Sequence, residues 1–380
     1  MVDEKPIESE NSKVDEKDKE IENEKENKLE ENKEQENEPE KEKEKENESK
    51  KDKEKEKEYH EEITDPKEIK ALEEIKNSLA TITEKKDRLV LDPFVLLNND
   101  FLIHFLRARK LNIKKTTKMI LDYYHWKAKI NLDYIYSNYI FKEKYRFQLL
   151  FPHGFHKLTK DGHPIYFQIA GLVQAEELMK LGTSEEIAKY SVSINEKIER
   201  DYFKICSQIK GAYIHGVFNI IDFNGINSSF LNKKLISYVR DNLKVEQDYY
   251  PECLGKCYIL NANLLFRTFY SAVKIFLDSK TKEKIKVFGN NYKQALLEEI
   301  DSDNLPTFFG GSCECPEGCL FSNAGPWKKP EDVEEDIPED ILKRRKEIID
   351  IMISNFKKIP TNSDEKNKTN SKEGVKLDEL

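Results

Sequence analysis

Three short apolar runs alternate with segments patterned for helix, and this alternation constrains the fold more than any other feature of the chain. They are Val217-Phe218-Asn219-Ile220-Ile221-Asp222, Cys257-Tyr258-Ile259-Leu260-Asn261 and Ile285-Lys286-Val287-Phe288. Each has the length of a strand rather than of a helix. Between the first two, Ser228 or Ser229 opens a helix with Leu231, Leu235, Ile236, Val239 and Leu243 along one side; Pro251 closes it, and Gly255 suits a left-handed turn. Between the second and third, Leu265, Phe269, Val273, Phe276 and Leu277 recur at threes and fours, an apolar stripe on a helix that starts at Leu264. Asp278-Ser279-Lys280-Thr281 then caps a new turn, with Lys284 on the same face as Thr281. Strands separated by crossover helices predict an α/β fold with a mostly parallel sheet.

This larger domain is expected over residues 141–330. Phe151-Pro152-His153-Gly154 begins its first strand region, and Asp161-Gly162-His163-Pro164 signals a hairpin turn into Ile165-Tyr166-Phe167-Gln168-Ile169. Thr183-Ser184-Glu185-Glu186 caps a long helix reaching Ile209. Ahead of it, helix starts at Asp65-Pro66, Asp92-Pro93, Asp100 and Ile113 predict a small helical module over 63–140. Behind it, a basic amphipathic helix from Pro338 carries Lys343-Arg344-Arg345-Lys346 beside Ile341, Ile348, Ile349, Met352 and Phe356, within 331–360. Such a helix lies on a membrane or folds back onto its own domain; folding back is the commoner fate.

Composition matters at the two ends. Residues 1–62 are dominated by Lys, Glu, Asn, Asp and Ser, with no aromatic before Tyr59, so they bury too little apolar surface to offset their ordering entropy and are expected to be disordered. The polar stretch 361–380 is expected to be disordered as well. The formal charge is −10 over residues 1–60, +5 over 61–330 and −4 over 331–380. The acidity therefore belongs to the ends, and a mildly basic body is compatible with visits to an anionic membrane surface. No run of 18 apolar residues offers a membrane span. No apolar h-region offers a secretory signal, and the six cysteines suit reduced thiols, so a cytoplasmic location is expected. The final Leu377-Asp378-Glu379-Leu380 resembles an ER-retrieval signal, which without a signal peptide no lumenal receptor would read.

Catalysis is not indicated. The chain has no Gly-rich phosphate loop, no Gly-x-Ser-x-Gly elbow and no His-Glu-x-x-His pairing. Cys313-x-Cys315-x-x-x-Cys319 invites a zinc reading, but zinc usually takes four ligands and no fourth is evident nearby in the sequence, so no metal is expected. Arg107, Arg109 and Lys110, taken alone, read as a solvated basic helix end favoured by the helix dipole.

Several separated motifs carry a resemblance. They are Phe105-Leu106-Arg107-Ala108-Arg109-Lys110, Asp222-Phe223-Asn224-Gly225-Ile226, Tyr249-Tyr250-Pro251-Glu252, Phe276-Leu277-Asp278, Asn304-Leu305-Pro306 with Phe309-Gly310-Gly311, and Gly325-Pro326-Trp327. In this order and spacing, from about Ile69 to Trp327, the chain resembles the CRAL-TRIO family, specifically the SEC14-like phosphatidylinositol-transfer proteins of fungi and plants. The resemblance implies a small helical module followed by a lipid-binding domain with a gated apolar cavity. It makes Leu264–Leu277 the gate helix, with Leu265, Phe269, Val273, Phe276 and Leu277 on its apolar face. It makes Arg109, Glu252, Thr281 and Lys284 the inositol-phosphate site, in which Arg109 and Lys284 meet phosphate charge, Thr281 donates a hydroxyl hydrogen bond and Glu252 keeps the cations paired. The second-lipid headgroup region falls on Phe155, Tyr166, Asn195, Val217 and Asn219, where only Tyr166 keeps the family's residue type. Lost tyrosines and a lost hydroxyl at Val217 weaken a box for a quaternary ammonium.

The resemblance thus implies a non-enzyme that binds phosphatidylinositol in place of any cofactor, with weak or altered phosphatidylcholine binding. The expected partners are phospholipids, a transient membrane surface of the Golgi, endosomes or another internal compartment, and a phosphatidylinositol kinase; no nucleic acid is expected, and the protein is expected to be a monomer. Two other readings stay open on the sequence: a carrier of an apolar molecule such as a sterol or tocopherol, and a membrane-associated scaffold that recruits partners through its charged tail.

Overall fold

The sheet is built as the alternation of runs predicts. In the computed structural model, which describes residues 57–83, 92–328, 337–357 and 375–376, six strands lie in sequential order: β1 His153–Leu158, β2 Pro164–Ile169, β3 Val217–Asp222, β4 Leu254–Leu260, β5 Ile285–Val287 and β6 Val375–Lys376. β2 to β5 are parallel, β1 is antiparallel to β2 across the hairpin, and β6 is antiparallel to β5. Residues 1–56, 361–374 and 377–380, which hold most of the two expected disordered segments and the final tetrapeptide, lie outside the described residues. Val375–Lys376 departs from expectation, because it pairs with the edge of β5 where disorder is expected. A two-residue strand in a polar segment leaves no periodic pattern to read. The described residues after Lys57 belong to one compact unit, Glu58–Leu380.

Strand alternation divides the sheet into two faces with different company. One face carries Ile165, Phe167, Ile169, Phe218, Ile220, Tyr258 and Leu260, packed with Leu296 and Ile300, with Leu305, Phe308 and Phe309, and with Leu320 and Phe321. The same core takes Ile341, Ile348 and Met352 from the C-terminal helix Glu339–Lys357, so that helix folds back onto the domain. Its Arg345, from the middle of the basic run, is buried with its guanidinium 5.3 Å from the Tyr145 ring and 5.1 Å from that of Phe321. The opposite face carries Tyr166, Gln168, Asn219, Ile221, Cys257, Ile259, Ile285 and Val287, in register across β2 to β5.

Apart from a single turn at Ala175–Leu178, the helices among the described residues are, in chain order, α1 Pro66–Thr83, α2 Asn99–Ala108, α3 Ile113–Ile130, α4 Leu132–Asn138, α5 Lys144–Leu150, α6 Ser184–Lys197, α7 Phe203–Lys210, α8 Lys233–Tyr249, α9 Leu264–Val273, α10 Ser279–Glu283, α11 Lys293–Glu299 and α12, the C-terminal helix just described. α1 to α3 share a core around Leu72, Ile75, Leu79, Leu102, Ile103, Phe105 and Ile120. The residues just before α1 join this module. Glu61 accepts from Arg107 and pairs with His104 at 3.2 Å, and Arg107 also donates to both carboxylate oxygens of Glu68 at 2.7 and 2.8 Å. Arg107 is therefore a structural tie rather than a solvated helix end.

Several local expectations shift by a few residues. Asn98, not Asp100, caps α2 through the Phe101 amide, which frees Asp100 to accept from His60 and from the Glu61 backbone. Asp92-Pro93 opens a 3₁₀ turn, Pro93–Leu97. The long helix capped by Thr183 and Glu186 runs to Lys210 through a π turn at Ile198–Tyr202. Ser228–Leu231 is a 3₁₀ turn, and α8 begins afterwards on an Asn232 cap. The left-handed residue after α8 is Glu252, at φ 64°, while Gly255 belongs to β4 and lies against the Gly216 backbone.

Candidate functional site

The two halves of the site stem from one chain reversal. α8 ends at Tyr249 ahead of Pro251, Glu252 turns left-handed, and the chain re-enters the sheet as β4. A left-handed glutamate is costly for a residue with a Cβ. Here the turn aims its carboxylate at the end of α10, where Lys284 Nζ donates to Oε2 at 2.8 Å and to the Leu254 carbonyl at 2.7 Å, and Lys280 Nζ lies 3.7 Å from Oε1. Burial works against ionisation of Glu252, but the hydrogen bond and charge of Lys284, joined by Lys280 and His104, outweigh it and hold the carboxyl below its usual range. Glu252 and Lys284, far apart in sequence, thus form one half-buried pair. Lys280, which sequence reasoning passes over as part of a cap, belongs to the same group.

Thr281 stands on α10 beside them, but its hydroxyl donates to Asp278 Oδ2 at 2.7 Å and its amide to Oδ1 at 2.9 Å. Its side chain closes the N-terminal cap and is free only to accept. Arg109 caps the C-terminal end of α2 and lies 3.6 Å from Asp248, four residues before Glu252 in the chain. The four residues therefore divide into the Glu252–Lys284 pair, a threonine turned to its own cap and an arginine held by Asp248. Trp126 stacks on Tyr249 at 4.0 Å and locks the end of α8 to α3.

Beyond this polar pole Tyr166 on β2, Tyr190 on α6 and Tyr238 on α8 are half-buried and Glu246 on α8 is exposed, although all four stand deep among protein groups, so they face a hollow between these elements. Burial pushes the Glu246 carboxyl up to about 7 and raises the three tyrosine hydroxyls. Asn219, in register with Tyr166, has a buried Oδ1 without a hydrogen-bond partner. α9 packs along this face, with Phe266, Phe269, Tyr270 and Val273 buried against Phe223, Phe230, Cys257 and Ile259, and with Leu265 and Leu277 partly buried. The helix gives way to a 3₁₀ turn at Lys274–Phe276, so the expected gate is α-helical only over its first ten residues, and Phe276 is half-buried. Gln247 on α8 holds the end of this segment, donating to the Phe276 carbonyl at 2.5 Å and accepting from the Asp278 amide at 3.3 Å. Leu264 and Ile275 at its two ends are 78% and 76% exposed.

Four of the five residues expected for the second headgroup share one face of the sheet: Phe155 pairs with Tyr166, Tyr166 with Asn219, and Val217 lies two residues from Asn219 on β3. Phe155 and Val217 are buried there with Ile198, Phe203 and Trp327, Tyr166 packs against the same cluster, and Asn195 is half-buried on α6. On the opposite face of the sheet, β1 brings His156 against Cys313, Cys315 and Cys319, all four ligand atoms lying within 4.8 Å of one another. The expectation that the three cysteines lack a fourth partner is corrected by the fold, which supplies it from the far end of the domain. Glu246, Gln247 and His156 carry no local motif, so no sequence signal singles them out. Among the described residues no helix is long and apolar enough to cross a membrane.

Known proteins share this arrangement of segments. Residues 151–311 match the family model of the CRAL/TRIO domain. The chain is 36% identical over 231 residues to "Sec14 cytosolic factor" of Schizosaccharomyces pombe, a match covering 61% of this chain and 80% of that protein. It is 34% identical over 263 residues to "Phosphatidylinositol/phosphatidylcholine transfer protein SFH11" of Arabidopsis thaliana, covering 68% of this chain and 69% of that protein. A second Arabidopsis relative, similarly named SFH12, is 34% identical over 270 residues, 69% of this chain but 50% of the relative. By its sequence, and with motifs from both of its helical and sheet regions in place, this chain belongs to the CRAL/TRIO family and, within it, to the Sec14-like proteins.

Proposed function

We propose that this protein extracts phosphatidylinositol from a membrane into the hollow beneath α9 and transfers or presents it elsewhere. The observation that carries this reading is the meeting of a hollow with a cationic pole: Tyr166, Tyr190, Tyr238 and Glu246 face the one, and Lys280 and Lys284 gather around Glu252 in the other. A two-chain phospholipid needs an apolar enclosure with a few convergent polar groups at one end. The relatives named as phosphatidylinositol/phosphatidylcholine transfer proteins favour the same cargo. Transfer begins when Leu264 and Ile275 enter a bilayer and α9 swings out. Acyl chains then follow, each buried CH₂ contributing about 0.8 kcal/mol. The phosphate takes the hydrogen bonds that Lys284 now gives to Glu252 and Leu254, with Lys280 and Arg109 adding charge.

Phosphatidylcholine binds weakly by the same reading. A quaternary ammonium wants several aromatic faces, and that set offers two, Tyr166 and a buried Phe155 whose ring lies 5.1 Å from it. The protein acts without catalysis or nucleic acid, as a monomer visiting Golgi or endosomal membranes, and hands its lipid to a phosphatidylinositol kinase.

The test is transfer of labelled phosphatidylinositol and phosphatidylcholine between vesicles by the full-length protein, beside Lys284→Ala. Phosphatidylinositol transfer is expected in the parent and about tenfold less in the variant, as loss of a charge-assisted hydrogen bond implies. Equal transfer of the two lipids would refute the selectivity, undiminished transfer by the variant would refute the role of Lys284, and transfer of neither would refute the whole reading.

A further inference from the structure

The geometry points to a structural zinc site formed by His156 with Cys313, Cys315 and Cys319, on the face of the sheet away from the hollow. Three thiols and one imidazole form the Cys₃His donor set of closed, structural zinc sites. Their ligand atoms lie within 4.8 Å of one another. A zinc tetrahedron with Zn–S bonds of about 2.3 Å places ligand atoms roughly 3.7 Å apart, a contraction that small side-chain rotations supply. All four residues are buried or half-buried, and His156 is fully so.

The imidazole is already oriented for the task. Ser322 Oγ donates to the Cys319 carbonyl at 3.2 Å, so its remaining role toward His156 Nδ1, 3.2 Å away, is to accept. Nδ1 therefore carries the proton, and the lone pair falls on Nε2, a buried atom with no hydrogen-bond partner. An outer hydrogen bond that fixes the tautomer is the arrangement metal-bound histidines use. The backbone has been brought close as well. A Cβ at Gly154 would stand 2.0 Å from the Leu320 carbonyl oxygen, so only glycine lets the cysteine loop lie against β1. Thiolates and imidazole together select zinc over oxygen-loving cations. Binding exchanges the three S–H protons for one Zn²⁺, with no change of oxidation state.

Bound zinc would cross-link β1 to the loop that leads into Gly325-Pro326-Trp327. Trp327 stacks on Tyr202 at 4.3 Å and meets Phe155 edge-on at 6.2 Å, so the clamp sets the position of a side chain buried in the cluster with Phe155. It also holds the floor against which α12 packs, since Cys313, Cys319, Leu320 and Phe321 share a core with Ile348 and Met352.

The test is elemental analysis of full-length protein purified with its thiols reduced and without a metal-binding tag. One zinc per chain is expected, released by a thiol-specific mercurial. Cobalt substitution should give thiolate charge-transfer bands and tetrahedral d–d bands. Ser322→Ala, which touches no metal, should weaken zinc binding roughly tenfold by releasing the imidazole. Cys315→Ser, at the half-buried corner, should purify without stoichiometric zinc yet fold. A reduced protein that carries no zinc and melts at the same temperature with and without added Zn²⁺ would overturn the assignment. So would a mass showing two of the three cysteines joined as a disulfide, or a cobalt spectrum unchanged by both substitutions.

Discussion

Glu246 shows how far a single residue can depart from what its sequence neighbours suggest. It sits in a helix between Val245 and Gln247 like any surface glutamate, yet it faces the hollow, and burial raises its carboxyl from 4.5 to about 7. The folded protein therefore keeps this proton over a range in which the unfolded chain has lost it. Its contribution to stability falls as pH rises from about 4.5 to about 7 and is level above. Because the Glu246 side chain keeps exposed surface and is partly screened by solvent, Glu246→Gln should melt only slightly above the parent at pH 8 and together with it near pH 4.5; parallel thermal scans across that range check both. At this scale the sequence shows which residues are charged, and the family motif marks Glu252 and Lys284. It does not show that Lys280 joins them, that Thr281 spends its hydroxyl on Asp278, or that Arg109 faces Asp248.

The elements were more legible, because their signals lie within a few residues. The Thr183–Glu186 cap and the Asp278 cap form as the spacing predicts, while the expected stripe is α-helical only through Val273. The exposed ends of α9 do not follow from the stripe, which explains the buried side alone. If Leu264 and Ile275 make the first contact with a bilayer, Leu264→Asp with Ile275→Asp should slow transfer between vesicles several-fold. The lipid found in the purified protein should remain the same, as mass spectrometry of extracts would show. Gln247 ties the same segment shut through two backbone groups, a contact between residues about thirty apart that no helical periodicity encodes. α12 was legible as an amphipathic helix but not as to its destination, since an apolar stripe suits a membrane surface or a protein core equally. Its burial on the sheet decides the matter, and Ile348→Ala should destabilise the fold by about 2–4 kcal/mol, measured by urea unfolding.

In the whole molecule the sheet separates two tasks. One face is filled by side chains, α11, α12 and the cysteine loop, and holds the fold rigid; the other faces the hollow and leaves polar atoms such as Asn219 Oδ1 without partners. The strand alternation dictates this division, since a period of two must send neighbouring residues to opposite faces. By itself the sequence determined the first five strands, the mostly parallel sheet, some of the helix caps and the family. All of these rest on backbone sterics, side-chain periodicity or short motifs that act over a few residues. Tertiary structure alone decided which face would be filled and which left hollow, that Glu252 would meet Lys284, that α12 would return to the sheet, and that His156 would reach three cysteines from the far end of the domain. Each is a meeting of residues distant in the chain. Such meetings are set by how the packed layers close on one another, which leaves no periodic trace in the order of the amino acids.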